Sequence, residues 1–389
     1  MISDMKNPDI QLINRVRASI RKNRFILFFL CVFLWTTSAY GDETIDIAAI
    51  YALTGPATEG NALTLQGIRY AVNEINQHGG VLGRDIKLWV FDNQSTPIGS
   101  TVAAKQAVAS GVVGIVGSDW SSHSIAVAKV AQNNGIPMIS SLSTNPEVTK
   151  IGDYIFRICF TDDFQGQIIA KFARQDLNAE TAVVFVDVTS DYSLKLSEIF
   201  KNNFEKLGGK ILLELDYKLK QQRFDEEVKR AAATDADVMF IPGHDESGFI
   251  VKQAQNAGTT AILLGGDGWS TPSFFRKGGA ELKQGYYSAH WSVNLDTDRS
   301  RSFVKKYVHS EISVENIALG YDAMKLMADA IARSGSIDRE KIKEAIANTR
   351  AFEGVTGNIN FNDWGDPIKS AVFMEIKNGT PHYLKTLEP

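Results

Sequence analysis

The stretch Val112–Ser122, VVGIVGSDWSS, carries the pattern that decides the fold: a short apolar run that ends in glycine and small polar residues. Two further stretches repeat it, IPMISSLST at 136–144 and AILLGGDGW at 261–269. Short runs of β-branched and apolar residues are typical of buried strands. The pattern therefore predicts strands that each end in a polar loop facing the start of a helix.

Strand-like and helix-like segments alternate along the chain from residue 42 onward. The first series holds ETIDIAAIYA, DIKLWVFD, VVGIVG and IPMIS as strands, and the second holds TAVVFVD, KILLELDY, DVMFIPG and AILLGGD. Nearly continuous apolar strands separated by helices are typical of parallel sheets covered on both faces. We predict an α/β fold of two Rossmann-like lobes with a ligand cleft between them.

The segments after residue 290 suggest how the chain is divided between the lobes. Helical patterns at 301–308, 315–333 and 338–348 have no parallel strands of their own, so we assign them to the first lobe. The chain then crosses between lobes three times, near residues 160, 290 and 355. We expect lobe 1 to comprise 42–160 plus 291–355, and lobe 2 to comprise 161–290 plus 356–389. The last segment predicts a β-hairpin with an Asn378-Gly379 turn.

The first 41 residues have the pattern of a secretory signal peptide. A basic stretch between Arg15 and Arg24 precedes the apolar run Phe25–Trp35, and small residues around Ala39 and Gly41 suit a cleavage site. A run of this length is too short to span a bilayer comfortably but suits a signal-peptide core. The alternative is an uncleaved anchor. We expect the protein to be periplasmic.

Charge and cysteine content limit the classes of partner. Without residues 1–41 the chain holds 35 basic and 43 acidic residues, a net charge of −8. An acidic chain is a poor partner for nucleic acid or an anionic membrane. Only Cys159 remains, so no intramolecular disulfide can form, and we expect a monomer.

The polar loops predict a binding site, because ligands of open α/β sheets sit at the carboxyl ends of the strands. Ser121 or Ser122 can cap the following helix, whose free N–H groups favour an anion. Ser143 lies in the neighbouring loop. There Thr144 begins a capping box with Glu147, and its hydroxyl could also meet the ligand. For each hydroxyl, capping alone is the alternative role.

The loop after the strand at 262–265 supplies a carboxylate. Asp267 lies among glycines, including Gly268, that allow close approach of a ligand, and it suits an ammonium group. The alternative is an aspartate that only caps a turn. Trp269 belongs either to the roof of the pocket or to the core. Tyr192 and His244 follow other strands of the second series and could close over the ligand. A purely structural role is the alternative for the tyrosine.

The sequence offers little support for an enzyme. The glycines Gly111, Gly114 and Gly117 span a strand rather than following one, so they lack the context of a dinucleotide-binding motif. No phosphate-binding loop, nucleophile motif or set of metal ligands at suitable spacing is present. We therefore predict no catalytic residues, no cofactor and no metal.

Several short motifs, in order, resemble the periplasmic leucine/isoleucine/valine-binding protein family of transporter solute receptors. The resemblance covers essentially the whole chain after the signal peptide. It rests on Thr54-Gly55-Pro56, Gly79-Gly80-Val81-Leu82-Gly83-Arg84, Ile115-Val116-Gly117 with Ser121-Ser122, Ser143-Thr144 with Pro146-Glu147, Gly320-Tyr321-Asp322-Ala323 and Gly354-Val355-Thr356-Gly357.

The resemblance implies that Ser121, the Leu142 backbone and Thr144 hold an α-carboxylate and ammonium, with Asp267 facing the ammonium and Tyr192 as an aromatic lid. The family's other pocket aromatics fall near Glu59, near Gly243 or His244, and near Asn316. These departures imply a more polar pocket than that of a branched-chain amino acid binder.

The resemblance, together with the polar loops, predicts the receptor of an ATP-driven (ABC) importer. It would bind an amino acid or amino acid-like solute, branched-chain or another, and deliver it to a membrane permease. The alternative is a sensor for an amide or a small organic acid that reports to a regulator.

Overall fold

A computed structural model of the protein describes residues 44–308 and 314–389. The predicted signal peptide, residues 1–41, lies outside the described residues. All the elements named below belong to one unit, Ile45–Pro389.

The first sheet of the described chain contains five parallel strands in the order β2-β1-β3-β4-β5. They are β1 (Ile45–Tyr51), β2 (Ile86–Asp92), β3 (Gly114–Gly117), β4 (Met138–Ser140) and β5 (Ile155–Arg157). Since β2 and β3 lie on opposite sides of β1, the strand order reverses between β1 and β3. Such a reversal is the switch point at which open α/β sheets bind ligands.

The second sheet repeats this order and adds a hairpin at one edge. Its order is β14-β13-β10-β9-β8-β6-β7, formed by β6 (Thr181–Asp187), β7 (Lys210–Tyr217), β8 (Val238–Phe240), β9 (Ile262–Gly265), β10 (Gln284–Ala289), β13 (Ala371–Lys377) and β14 (Thr380–Leu387). Strands β6 to β10 are parallel, whereas β13 and β14 are antiparallel. The predicted hairpin is confirmed, with Asn378 and Gly379 at φ 49° and 76° in its turn.

Helices connect the strands and cover both sheets. They are α1 (Thr58–Gln77), α2 (Pro97–Ala109), α3 (Ser121–Asn133), α4 (Asp162–Lys171), α5 (Asp191–Lys206), α6 (Asp225–Ala232), α7 (Ser247–Asn256), α8 (Pro272–Lys277), α9 (Asp298–Tyr307), α10 (Glu315–Ser334) and α11 (Arg339–Ala347). Helices α9, α10 and α11 confirm the helical segments predicted at 301–308, 315–333 and 338–348. Short 3₁₀ turns at Pro146–Ile151, Asp267–Trp269 and Gly279–Glu281 and a small hairpin of β11 (Phe352–Gly354) and β12 (Gly357–Ile359) were not predicted.

Helix α10 packs directly on α1, backbone against backbone. A Cβ atom at Gly67 would lie 1.9 Å from the Ile317 carbonyl oxygen, and one at Gly320 would lie 2.1 Å from the Thr64 carbonyl oxygen. Only glycine fits at either position. This close approach brings the first turn of α10 beside the first turns of α1, next to the end of β1.

The chain passes between the two sheets three times. It leaves the first sheet after β5, returns after β10 to form helices α9 to α11, and joins the second sheet again at β13. The predicted α/β class is therefore confirmed. Within residues 44–308 and 314–389, no helix combines the length and apolar character needed to cross a membrane.

Candidate functional site

A cavity lies between the carboxyl ends of the two sheets, beside the switch point of each. From the first sheet its wall includes Ala57, Gly60, Asn61, Asp119, Trp120, Ser121, Leu142 and Thr144. From the other side it includes Tyr192, His244, Asp245, Asp267, Gly268 and Thr271, and α10 adds Asn316. The fold thus gathers residues that are far apart in sequence at one place where open α/β sheets bind ligands.

The cavity is small, and polar and apolar surface contribute about equally to its wall. The volume of the cavity is ≈ 490 Å³ when its open mouth is included. Only ≈ 40 Å³ of this volume can be occupied by the centre of a water molecule. In this arrangement only a small solute has room.

Two hydroxyl groups and a helix start form the wall at the first sheet. The Ser121 side chain accepts a hydrogen bond from the Asn145 backbone N–H at 3.2 Å, which leaves its own proton for another acceptor. The buried Thr144 hydroxyl makes no hydrogen bond of good geometry, although it faces the buried Asp162 carboxyl. Ser121 is also the first residue of α3, whose leading N–H groups have no intrahelical partner. These donors together suit a carboxylate.

Both capping predictions in this wall are wrong. Trp120 occupies the N-cap position of α3 without a side-chain bond, because the helix begins at Ser121 itself rather than after a capping serine. In the next loop Asn145, not Thr144, caps the 3₁₀ turn and accepts a bond from Glu147 N–H at 2.9 Å. Neither Ser121 nor Thr144 is therefore needed as a cap.

Asp267 is the carboxylate of the opposite wall. It is 8% exposed, and its two oxygens accept hydrogen bonds from Gln165 Nε2 at 2.6 Å and His290 Nε2 at 3.2 Å. Burial raises the pKa of Asp267, but its hydrogen bonds, led by the one from His290, outweigh burial and leave the pKa below its ordinary value. The carboxylate is thus held ionised in the cavity wall, as an ammonium partner requires.

A column of four aromatic rings joins the two sheets, and three of these rings line the cavity. His244 stacks on Trp120 with centroids 4.1 Å apart and planes within 2°. The column continues to His123 behind Trp120 and to Tyr192 behind His244, at centroid distances of 5.3 Å and 4.9 Å. Burial lowers the pKa of His244 to about 3 and that of His123 to about 4, so both rings are neutral at pH 7. Tyr192 also accepts a bond from Gly268 N–H at 3.3 Å.

Three residues predicted for the site do not line the cavity. Trp269 is completely buried in the core of the second sheet, where Nε1 donates to the Ile241 carbonyl at 3.0 Å and the ring stacks on Phe274. Ser143 Oγ bonds within its own wall, for instance to the Asp119 carbonyl oxygen at 2.8 Å. Ser122 is half-buried on α3 outside the wall. For Trp269 the structure decides in favour of the core.

Other residues of the site were not among the predicted ligand-binding residues. Asp119 and Trp120 precede Ser121 in the first polar loop, so their position at the end of a strand is the signal that could have predicted them. Asn316 and Asn61 reach the cavity because α10 and α1 pack together, and His290 reaches Asp267 from beyond β10. No local pattern marks Asn61 or His290, whereas the family resemblance already placed a pocket position near Asn316.

Asp119 stands out electrostatically. It is 6% exposed, Thr64 Oγ1 donates to its Oδ2 at 2.7 Å, and its Oδ1 has no partner. Burial raises the pKa of Asp119 to about 8.

No lysine or arginine belongs to the described cavity wall. Nor does any group of His, Cys, Asp or Glu in the described residues have an arrangement that could hold a metal ion.

Further contacts join the two sides around the cavity. Asn145 Nδ2 donates to the Asp191 carbonyl at 2.8 Å, and the Arg276 guanidinium pairs with Glu59 at the surface. Glu315 of α10 is buried; it accepts bonds from Ser270 Oγ and from His290 N–H, the latter at 2.8 Å. The cavity is therefore closed by polar contacts on several sides.

The whole described chain is similar to known solute receptors. The sequence model of the family described as "Periplasmic binding protein" matches residues 44–381. A leucine-binding protein LivK from Thermotoga maritima is 34% identical, with a TM-score of 0.84 over 89% of this chain and 99% of its own.

Two other proteins are comparably similar. The branched-chain amino acid transporter substrate-binding protein LivJ from Streptococcus pneumoniae, solved with isoleucine, is 29% identical, with a TM-score of 0.83 over 89% of this chain and 100% of its own. The Leu/Ile/Val-binding protein homolog 3 of Brucella melitensis is 26% identical over 337 residues, which are 85% of this chain and 90% of that protein. The match to these proteins runs through both sheets.

Proposed function

The chain belongs to the periplasmic binding protein family, and from that premise we propose that it is the solute receptor of an ABC importer. It binds an amino acid or amino acid-like solute between its two sheets and delivers it to a membrane permease. The observation that carries this proposal is the cavity itself, with free hydroxyl donors on one wall and an ionised carboxylate on the other.

The geometry suits a zwitterion held between two lobes. Ser121 and Thr144 would donate to the α-carboxylate, helped by the start of α3, and Asp267 would accept from the ammonium. We assign lobe 1 to 42–160 plus 291–355 and lobe 2 to 161–290 plus 356–389. A solute that contacts both lobes favours the closed arrangement, because only that arrangement offers both sets of contacts.

The names of the similar proteins favour an importer over a sensor. LivK is named as leucine-binding, and LivJ as the substrate-binding protein of a branched-chain amino acid transporter. The family is described as a periplasmic binding protein, and the signal-peptide pattern of residues 1–41 supports export of this chain. We propose a monomer without enzymatic activity. The net charge of −8 after residue 41 supports the absence of a nucleic-acid partner.

A ligand screen tests this function. The chain from residue 42 onward is screened by thermal shift with the amino acids, their amides and small organic acids, and each hit is measured by calorimetry. A solute at about 100 times its Kd adds ~2.7 kcal/mol of stability, which is visible as a melting shift. We expect at least one amino acid-like solute to bind, and the Asp267→Asn variant to lose it. Binding that survives this change would remove Asp267 from the site, and no binding by any amino acid or amino acid-like solute would overturn the proposal.

A further inference from the structure

Two buried oxygen atoms in the cavity wall lack a hydrogen-bond donor. They are Asp119 Oδ1 and Asn316 Oδ1, in side chains that are 6% and 3% exposed. A buried acceptor without a donor costs ~1–3 kcal/mol, so such atoms are rare unless a ligand satisfies them. Both belong to the part of the wall that the proposed zwitterion site, formed by Ser121, Thr144 and Asp267, does not use.

The orientation of the Asn316 amide follows from its neighbour. Its Nδ2 donates to the Gly60 carbonyl oxygen at 3.3 Å. A carbonyl oxygen can only accept, so the amide must present its nitrogen to Gly60 and leave its oxygen free. Rotating the amide by half a turn would place two oxygens against each other. The free oxygen is therefore a consequence of the fold.

Asp119 is held by the same short piece of α1. Thr64 Oγ1 contacts Asp119 Oδ2 at 2.7 Å and also lies 3.3 Å from the Gly60 carbonyl oxygen. Gly60 contacts the Asn316 side chain and Thr64 contacts the Asp119 side chain. Because Gly60 and Thr64 are one helical turn apart, the same turn of α1 holds both side chains that carry a free oxygen. The direct packing of α10 on this helix at Gly67 and Gly320 keeps Asn316 in place.

The side chains around these oxygens supply no donor. The proton that Asp119 holds below pH 8 is accommodated on Oδ2 against Thr64 Oγ1, which leaves Oδ1 as an acceptor. Asp245 and Asp267 also line the cavity, while the described wall contains no lysine or arginine. The ring of His244 is buried and neutral. A methyl group placed here would leave both oxygens unpaired, whereas an N–H group would satisfy them.

We propose that the solute's side chain carries a nitrogen hydrogen-bond donor, an ammonium or a primary amide, that bonds to Asp119 Oδ1 and Asn316 Oδ1. This inference rests on the receptor function proposed above and narrows its substrate class. It departs from the apolar side chains that the names of the similar proteins specify. The limited room in the cavity restricts the side chain to a short one.

Matched pairs of amino acids test the proposal. Asparagine and leucine have similar branching, and α,γ-diaminobutyrate differs from norvaline by an ammonium group in place of a methyl group. Calorimetry on the chain from residue 42 onward gives the Kd for each. We expect the nitrogen-bearing member of at least one pair to bind at least tenfold more tightly than its aliphatic partner.

Two variants separate specificity from folding. Asn316→Leu removes one acceptor, so the ratio of nitrogen-bearing to aliphatic affinity should fall at least tenfold. Asp119→Asn should lower the affinity for diaminobutyrate more than that for norvaline. Asp363→Asn, at an exposed position, serves as the control and should leave the ratios unchanged. Because the readout is a ratio, a general loss of stability does not move it.

The outcomes distinguish this inference from the receptor function. If both aliphatic solutes bind and neither nitrogen-bearing partner gains tenfold, the donor proposal is wrong while the amino acid receptor stands. If none of these solutes and no other amino acid binds, both proposals are wrong. Ratios that Asn316→Leu leaves unchanged would also overturn the assignment of this oxygen.

Discussion

Trp120 and His244 lie ring on ring, with centroids 4.1 Å apart, although Trp120 follows a strand of the first sheet and His244 follows a strand of the second. Neither residue is near the other in sequence. The contact exists only when the carboxyl ends of the two sheets face each other. The stacking of these two rings therefore indicates the closed arrangement, in which the carboxyl ends of the two sheets face each other.

Removing the His244 ring should weaken solute binding. An aromatic pair contributes ~0.5–1.5 kcal/mol beyond its buried area, and here that energy belongs to the closed form. We expect His244→Ala to raise the Kd of the solute up to about tenfold, measured by calorimetry, and to change the Trp120 fluorescence. His382→Ala, on an exposed strand position, is the control. Equal affinities for His244→Ala and the parent would contradict the role of the stack.

Asp267 should dominate the affinity. Asp267→Asn keeps the shape of the side chain but removes the charge that an ammonium would meet, at a cost of ~3–5 kcal/mol if that charge stays buried and unpaired. Calorimetry should detect no binding at micromolar solute, while far-UV circular dichroism shows a folded chain. The matched control is Asp363→Asn. Retained affinity would place the ammonium elsewhere.

The stability of the solute-free protein should depend on pH through Asp119. In the unfolded chain an aspartate has a pKa of ~3.9, whereas burial raises that of Asp119 to about 8. Between these values the folded state binds one more proton than the unfolded state, so stability falls as pH rises towards 8. Asp119→Asn has no proton to lose.

Thermal melts from pH 5 to 8 at constant ionic strength test this dependence. The unfolding free energy of Asp119→Asn, relative to the parent, should rise by up to about 1.4 kcal/mol for each pH unit, and its melting temperature should rise with it. Tyr51 also faces Asp119, but burial and this carboxylate raise its pKa well above the range, so it does not titrate. A difference between variant and parent that is constant with pH would show that Asp119 has an ordinary pKa.

The Asn145 side chain has two roles that a single substitution can distinguish: it caps a 3₁₀ turn and it contacts the opposite side of the cavity. Its oxygen caps the 3₁₀ turn, and its Nδ2 donates to the Asp191 carbonyl. Asn145→Asp keeps the oxygen and loses the donor. We expect the unfolding free energy to change by less than ~1 kcal/mol and the Kd of the solute to rise severalfold, since only the closed form loses a bond. A large loss of stability with unchanged affinity would contradict this separation.

Trp269 should matter for folding and not for recognition. Its ring is fully buried against Phe274, so Trp269→Ala should cost ~3–5 kcal/mol in urea unfolding. Trp269→Phe should cost less and leave the Kd of the solute unchanged within twofold, because the side chain does not line the cavity. A loss of solute affinity in Trp269→Phe without a matching loss of stability would show that Trp269 takes part in solute binding.

Much of the fold was predictable because its signals are local. Apolar runs such as the one ending at Gly117 mark strands, the helical patterns after residue 290 mark α9 to α11, and Asn378-Gly379 marks a turn. Helix starts were less well predicted. Ser121 and Thr144 have the side chains of caps, but Trp120 and Asn145 occupy the cap positions, since the cap depends on where the strand ends in the packed sheet.

The sequence by itself determined two parallel sheets and the polar loops at their ends, because strand periodicity and loop chemistry depend on neighbouring residues. The tertiary structure alone decided which of those polar groups meet. Trp120 contacts His244 because the sheets face each other, and Asn316 reaches the cavity because glycines let α10 approach α1. The structure also decided which hydroxyls and carboxylates are left without partners. That property depends on burial and on every neighbour in space, which no local pattern encodes.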